Sequence, residues 1–162
     1  MTASSPLHVL QSAWHASIGP IGQSAGVGID LVEVEPLRQL VESGGPAFLH
    51  AAWTAREQRD ADGQPEGLAG KWAAKEAVMK ALQRGIGDID PLDVEIVTTP
   101  LGAPAVELHR AARAAAKNRK IAAWHVSVTH EGGWAAAIAI ASLRHLQLTD
   151  TPAAEGEGRN NG

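Results

Sequence analysis

Hydrophobic and polar positions alternate or recur with short, interpretable periods through most of this chain. Val27, Ile29, Leu31 and Val32, with glycines just ahead and Pro36 just after, predict a strand over Val27–Val34. Leu92–Thr98 alternates apolar and polar residues as a half-buried strand does. The runs HVSVTH and WAAAIAIAS, separated by Glu131-Gly132-Gly133, predict a hairpin whose glycines supply the positive φ of its turn. Between the strands the period lengthens to that of helices. One is predicted over Glu35–Glu42, stopped by Ser43-Gly44-Gly45-Pro46. Thr54-Ala55-Arg56-Glu57 fits a capping box, in which Thr54 and Glu57 reciprocally satisfy orphan backbone donors. The longest helix is predicted over Leu68–Arg84 with Gly85 as its C-cap. A last one is predicted over Val106–Arg119, ending in cations that suit a helix C-terminus. The order β-α-α-α-β-(β)-α-β-β predicts an α+β fold, an antiparallel sheet covered by helices on one side. No internal repeat is visible.

The ends lack this order. Residues 1–24 mix Ser, His, Gln and Gly without a sustained period and are expected to be a flexible extension. The tail 149–162 is polar and Gly-rich, a composition expected to stay disordered. One domain over 25–148 remains. A formal charge of -4 across 162 residues argues against nucleic acid as a partner. No run of eighteen apolar residues exists, so no membrane span is expected. The first residues lack a basic n-region and a clean apolar h-region, and the sequence has no cysteine. The expectation is a soluble cytoplasmic domain without disulfides or thiolate metal sites.

Asp30 stands out in that frame, because a carboxylate inside a buried strand costs several kcal/mol, about 2–7 for a polar group and more for a charge, unless something neutralises it. Solvent at a strand end, an arginine or a metal would each serve. The long helix LAGKWAAKEAVMKALQR places Ala74, Ala77, Val78, Ala81 and Leu82 on one apolar stripe. Glu76 and Lys80 lie on another side, near Trp72, Met79 and Gln83. One reading makes Glu76 and Lys80 an exposed i,i+4 ion pair of small worth. The other notes that Trp72 and Met79 keep this face from being wholly solvated. Asp30 and Glu76 then share a hard divalent cation such as Mg²⁺, and Lys80 meets a substrate phosphate as a point charge. Lys75 lies about 100° around the helix from Glu76 and is expected to matter far less to the rate than Lys80.

GVGIDLVEVE, FLHAAWTAREQ, GLAGKWAAKEAVMKAL, LGAPAVEL and WHVSVTHEGGWAAAIAIA resemble, in order and spacing, the holo-[acyl-carrier-protein] synthase group of 4′-phosphopantetheinyl transferases. The likeness runs from about Gly26 to Ala141, and its length matches the short subfamily of single-unit homotrimers with sites at subunit interfaces. The resemblance implies transfer of the phosphopantetheine arm of coenzyme A to a serine of an apo acyl carrier protein, with release of adenosine 3′,5′-bisphosphate. It implies that Asp30 and Glu76 bind Mg²⁺, with Mn²⁺ as an alternative ion. Glu76, or a metal-bound water it orients, would help deprotonate the serine, and Lys80 would steady the departing phosphate.

The remaining implied residues are less specific. His125 and His130 are five positions apart, hence on opposite faces of a regular strand. A strand histidine is commonly structural. The resemblance sets His125 and Ser127 near coenzyme A, and His130 near the pantetheine arm and the incoming serine, where its ordinary pKa suits proton transfer. Glu131 either orients His130 or is a turn residue. Gly102 and Pro104, in Gly102-Ala103-Pro104, match a family turn near the nucleotide or form an ordinary turn. Some features depart from the family: Arg38 is the only arginine of EPLRQLVESGGPAF, Lys71 stands where arginine is common, and Ala103 replaces a lysine. These point to a specialised carrier protein with a less acidic docking helix. A catalytically silent carrier-binding module and an unrelated Mg²⁺-dependent phosphohydrolase are the alternatives.

Overall fold

A computed structural model describes residues 24–143. The expectations for residues 1–23 and for the tail 149–162 lie outside the described residues. The chain runs β1 (Ser24–Glu33), α1 (Val34–Ala52), α2 (Ala55–Ala61), α3 (Pro65–Ala81), a 3₁₀ turn at Pro91–Asp93, β2 (Val94–Thr98), β3 (Pro104–Leu108), α4 (Arg110–Asn118), β4 (Ile121–Glu131) and β5 (Trp134–Leu143). The fold is α+β, as the pattern implies. Strands β1, β5 and β4 form an antiparallel sheet in that order, and β2 and β3 form a separate hairpin. The β4–β5 turn closes on Gly132 (φ 56°) and Gly133 (φ 83°), the positive pair that a tight two-residue hairpin requires.

Helix α3 is the centre of the molecule. Its predicted stripe Ala74, Ala77, Val78, Ala81 and Leu82 is buried, together with Ala73 and Met79, against Ala137 and Ala139 of β5 and Val94 and Ile96 of β2. Small residues let backbones touch. A Cβ on Gly28 would stand 1.9 Å from the Ala77 carbonyl oxygen, and one on Gly26 would stand 2.1 Å from that of Ala81. Only glycine fits at those two positions, and the pair sets how β1 crosses the helix. Two residues along β1 advance about 6.6 Å and four along a helix about 6 Å, so strand and helix run antiparallel in step.

Side chains finish what the sheets leave open. Among the described residues, the edge of β2 away from β3 meets no strand. Instead Glu57 accepts from Ile96 N at 2.8 Å and Asp60 from Thr98 N at 3.0 Å, while Lys75 donates to Val94 O at 2.6 Å and Lys71 to Ile96 O at 2.8 Å. Two acids of α2 and two lysines of α3 thus imitate the alternating donors and acceptors of a neighbouring strand. Lys75 Nζ also lies 2.8 Å from Glu57 Oε2, and both side chains are fully buried. Burial pushes the Lys75 ammonium below the usual lysine range, and the Glu57 carboxylate beside it opposes that shift.

Four predicted boundaries need correction. The helix after β1 does break at Ser43–Pro46, at Gly45 (φ 58°, ψ −156°), but it resumes through Ala52 because Pro46 is tolerated in a first turn. Helix α3 begins at Pro65, three residues early. It ends without Gly85: Gln83 (φ 57°) takes the left-handed position, with Gln83 N donating to Lys80 O and Arg84 N to Met79 O. The stretch predicted as helix from Val106 starts as β3, because Val106 and Leu108 pair with Ile96 and Val94. Helix α4 begins only at Arg110.

Candidate active site

Asp30 lies two residues beyond Gly28 on the helix-facing side of β1, so the same crossing that demands glycine delivers the carboxylate to α3. Its side chain is 12% exposed. Lys80, in the last turn of α3, reaches across and donates from Nζ to Asp30 Oδ1 at 2.7 Å and to the Ile29 carbonyl at 3.1 Å. The i,i+4 reading of Glu76 and Lys80 is therefore corrected: the ion-pair partner of Lys80 among the described residues is Asp30. Geometry explains the choice, since the Ile29 carbonyl offers Lys80 a second acceptor beside the Asp30 carboxylate.

Glu76 is part-buried one turn before Lys80 and faces the same place. Its proton affinity is raised, first by burial and then by the Asp30 carboxylate; Lys80 and a hydrogen bond with the Trp72 side chain pull the other way. A carboxylate whose proton affinity rises beside a second one is an electrostatic demand for a cation. Their donor set is all oxygen and only two residues wide, which fits Mg²⁺ or Mn²⁺ completing its shell with water and phosphate. Trp72 is itself held by Trp53 (ring centroids 5.6 Å apart), which packs edge-on against Phe48 at 6.0 Å. Trp72, Phe48, Ile89 and Pro91 line a cleft of about 480 Å³ with Asp90 at its wall. The sequence reading noted Trp72 and Met79 together; Met79 is in the core, and Trp72 alone serves the site.

The other candidates are distributed. Cross-strand register aligns Asp30, Ala137 and Val128 in one row and Val32, Ala135 and His130 in the next. His130 therefore shares the Asp30 face of the sheet, near the β4–β5 turn, and is exposed. His125 and Ser127 lie on the opposite face, in rows with Val27 and Ile140 and with Ile29 and Ile138. Glu131 pairs with Trp134 at the hairpin end. Gly102 (φ 82°) and Pro104 form the tip of the separate β2–β3 hairpin, where Gly102 N donates to Thr99 O at 2.8 Å.

Two cations are engaged within the chain. Arg38 is bound on its own helix by Glu35 at 2.7 Å and by Glu42, and Lys71 is buried rather than available to a partner. The β2-edge network went unread in the sequence, although Glu57 and Asp60 at i,i+3 and Lys71 and Lys75 at i,i+4 present matched charges on successive helices. A further cluster, Glu95, Glu107 and His109, has its ligand atoms within 4.8 Å of one another. Glu95 and Glu107 are directly opposed across β2 and β3, and the like charges are offset by His109 on Glu95 (3.0 Å) and Arg56 on Glu107 (3.2 Å).

A sheet-backed helix sets two acids and one lysine at a single crossing, a donor set that could hold a hard cation beside a phosphate. Residues 26–139 match the family model of the 4′-phosphopantetheinyl transferase superfamily. The chain is 36% identical to the holo-[acyl-carrier-protein] synthase of Alkaliphilus metalliredigens over 120 residues, 72% of this chain and 98% of that protein. It is 42% identical to the enzyme of the same description from Mycobacterium ulcerans over 126 residues, 71% and 94% of the respective chains. Its structure superposes on that of Helicobacter pylori holo-[acyl-carrier-protein] synthase in complex with coenzyme A, with a TM-score of 0.66 and 29% identity, covering 72% of this chain and 99% of that one. The chain belongs to the 4′-phosphopantetheinyl transferase superfamily.

Proposed function

We propose that this protein transfers the 4′-phosphopantetheine arm of coenzyme A to a serine of an apo acyl carrier protein in the cytoplasm, with Mg²⁺ or Mn²⁺ held by Asp30 and Glu76. The observation that carries the reading is the meeting of Asp30, Glu76 and Lys80 at the β1–α3 crossing in a chain of this family. The ion supplies charge neutralisation for the pyrophosphate. Glu76, at the same crossing, would help draw the serine proton. The serine oxygen bonds to the phosphorus bearing the pantetheine arm, the pyrophosphate P–O bond breaks, and adenosine 3′,5′-bisphosphate leaves. Lys80 meets the charge that develops on the departing phosphate. Positioning and charge compensation do most of the work in such a transfer. His130, on the same sheet face as Asp30, is the second group suited to move a proton.

His125, Ser127, Gly102 and Pro104 are proposed contacts of coenzyme A, and they support a homotrimer. His125 and Ser127 lie on the sheet face opposite Asp30, so one copy does not present all these groups to one ligand, whereas a neighbouring copy completes the set. That same face exposes Val27 (56%), Ile29 (66%) and Leu31 (59%), an apolar surface suited to burial between copies. Ile29→Asp is expected to convert a trimer to monomers by light scattering and to lose activity in proportion. A wild-type monomer with full activity contradicts the assembly. With Arg38 neutralised on its own helix, a carrier of modest acidity is the better partner.

Product analysis tests the reaction class. With coenzyme A and Mg²⁺, the full-length protein should release adenosine 3′,5′-bisphosphate only when an apo carrier protein is present. Release without a carrier marks a phosphohydrolase, and carrier binding without release marks a silent module.

A further inference from the structure

Lys80 holds an oxygen that the divalent ion needs. Its Nζ is 2.7 Å from Asp30 Oδ1, so an ion coordinated to that oxygen at about 2.1 Å would sit only a few ångströms from the ammonium. A divalent ion and an ammonium at about 4 Å weaken each other's binding by roughly thirtyfold in water-like screening, and by more near a protein surface. The Lys80 side chain is half exposed, whereas Asp30 is nearly buried, so it is the lysine that is free to leave. Half-exposed ion pairs are worth little and yield to a stronger anion. The ammonium has two of its three hydrogens on Asp30 and Ile29, and among the described residues the third meets no acceptor, so it can meet an incoming phosphate.

Resting on the assignment of Asp30 and Glu76 as the cation site, we propose that Lys80 gates the ion. It occupies Asp30 until the pyrophosphate of coenzyme A draws it away, so that cation and phosphate load together. The coupling is reciprocal: coenzyme A raises the affinity for the ion, and the ion raises the affinity for coenzyme A by the same factor. One side chain then does two things in sequence. It keeps Asp30 paired without the substrate and meets the phosphate with it.

The test is a Mn²⁺ titration of the full-length protein, read by the electron paramagnetic resonance signal of free Mn²⁺, with and without coenzyme A and with no carrier present. Lys80→Met keeps the stem and removes the charge at a half-exposed position, and circular dichroism verifies its fold. It is expected to bind Mn²⁺ alone at least about tenfold more tightly than the wild type. The gain in Mn²⁺ affinity on adding coenzyme A should shrink by the same factor. Mn²⁺ affinity that is unchanged or weaker in Lys80→Met overturns the gate. Asp30→Asn separates this failure from failure of the site itself. Loss of Mn²⁺ binding in Asp30→Asn upholds the site whatever Lys80→Met does, and undiminished binding removes both the site and the gate.

Discussion

Glu76→Gln is expected to lower the turnover of phosphopantetheine transfer by about a thousandfold, and Asp30→Asn by a similar factor, with the fold intact in both. The magnitude is that of removing a positioned proton acceptor or the charge that holds a catalytic ion, each commonly worth about 10²–10⁴ in rate. The intact fold follows from the direction in which Glu76 titrates. Its folded pKa lies above its ordinary value, so above the unfolded pKa the ionised carboxylate disfavours the folded state, and the penalty grows as pH rises through the folded pKa. A neutral glutamine of the same shape removes that penalty. Steady-state kinetics at saturating coenzyme A, with thermal melts of each variant, check both halves. A Glu76→Gln enzyme within about tenfold of wild type would remove Glu76 from the chemistry.

The second large effect belongs to a lysine outside the chemistry. Lys75→Met is expected to destabilise the protein by about 3–5 kcal/mol, the cost of leaving a buried partner charge uncompensated. Glu57 would keep its hydrogen bonds to Thr54 N and Ile96 N but lose the buried cation paired with it, and the carbonyls of Pro91 and Val94 would each lose the bond from the lysine. Adding Glu57→Gln should recover part of the loss, because the orphaned charge disappears while an acceptor for Ile96 N remains. Urea unfolding with an unchanged slope reads the difference. The rate per folded molecule should stay near that of wild type. Equal stability of Lys75→Met and wild type would mean that the β2 edge does not depend on this pair.

Glu57 and Lys75 also show where sequence reading stops. Glycines before a β-branched run, a capping box, a Gly-Gly hairpin turn and an alanine stripe are local signals, and β1, α2, the β4–β5 hairpin and α3 were legible from them. The approach of Asp30 to Glu76 was legible because a lone acid in a strand and a charged pair beside a tryptophan are anomalies that ask for a partner. Burial of a charge is different. Lys75 looks like any helix lysine until the exposed edge of β2 is known, and that edge exists only after β2 pairs with β3. For the same reason Val106 was read as helix: its alanine- and arginine-rich continuation favours one, and only pairing across the hairpin to Ile96 draws it into a strand. The partner of Lys80 was missed because sequence spacing suggests Glu76, while the glycine crossing brings Asp30 closer.

The central claim is a covalent change on a carrier protein, and intact mass is its most direct measure. Apo acyl carrier protein incubated with this protein, coenzyme A and Mg²⁺ is expected to gain the mass of one phosphopantetheine group. The gain should be absent when the acceptor serine is replaced by alanine, and absent when Glu76→Gln replaces the wild type. A panel of apo carriers that all keep their mass, under conditions in which the protein is folded and binds coenzyme A, would contradict the account.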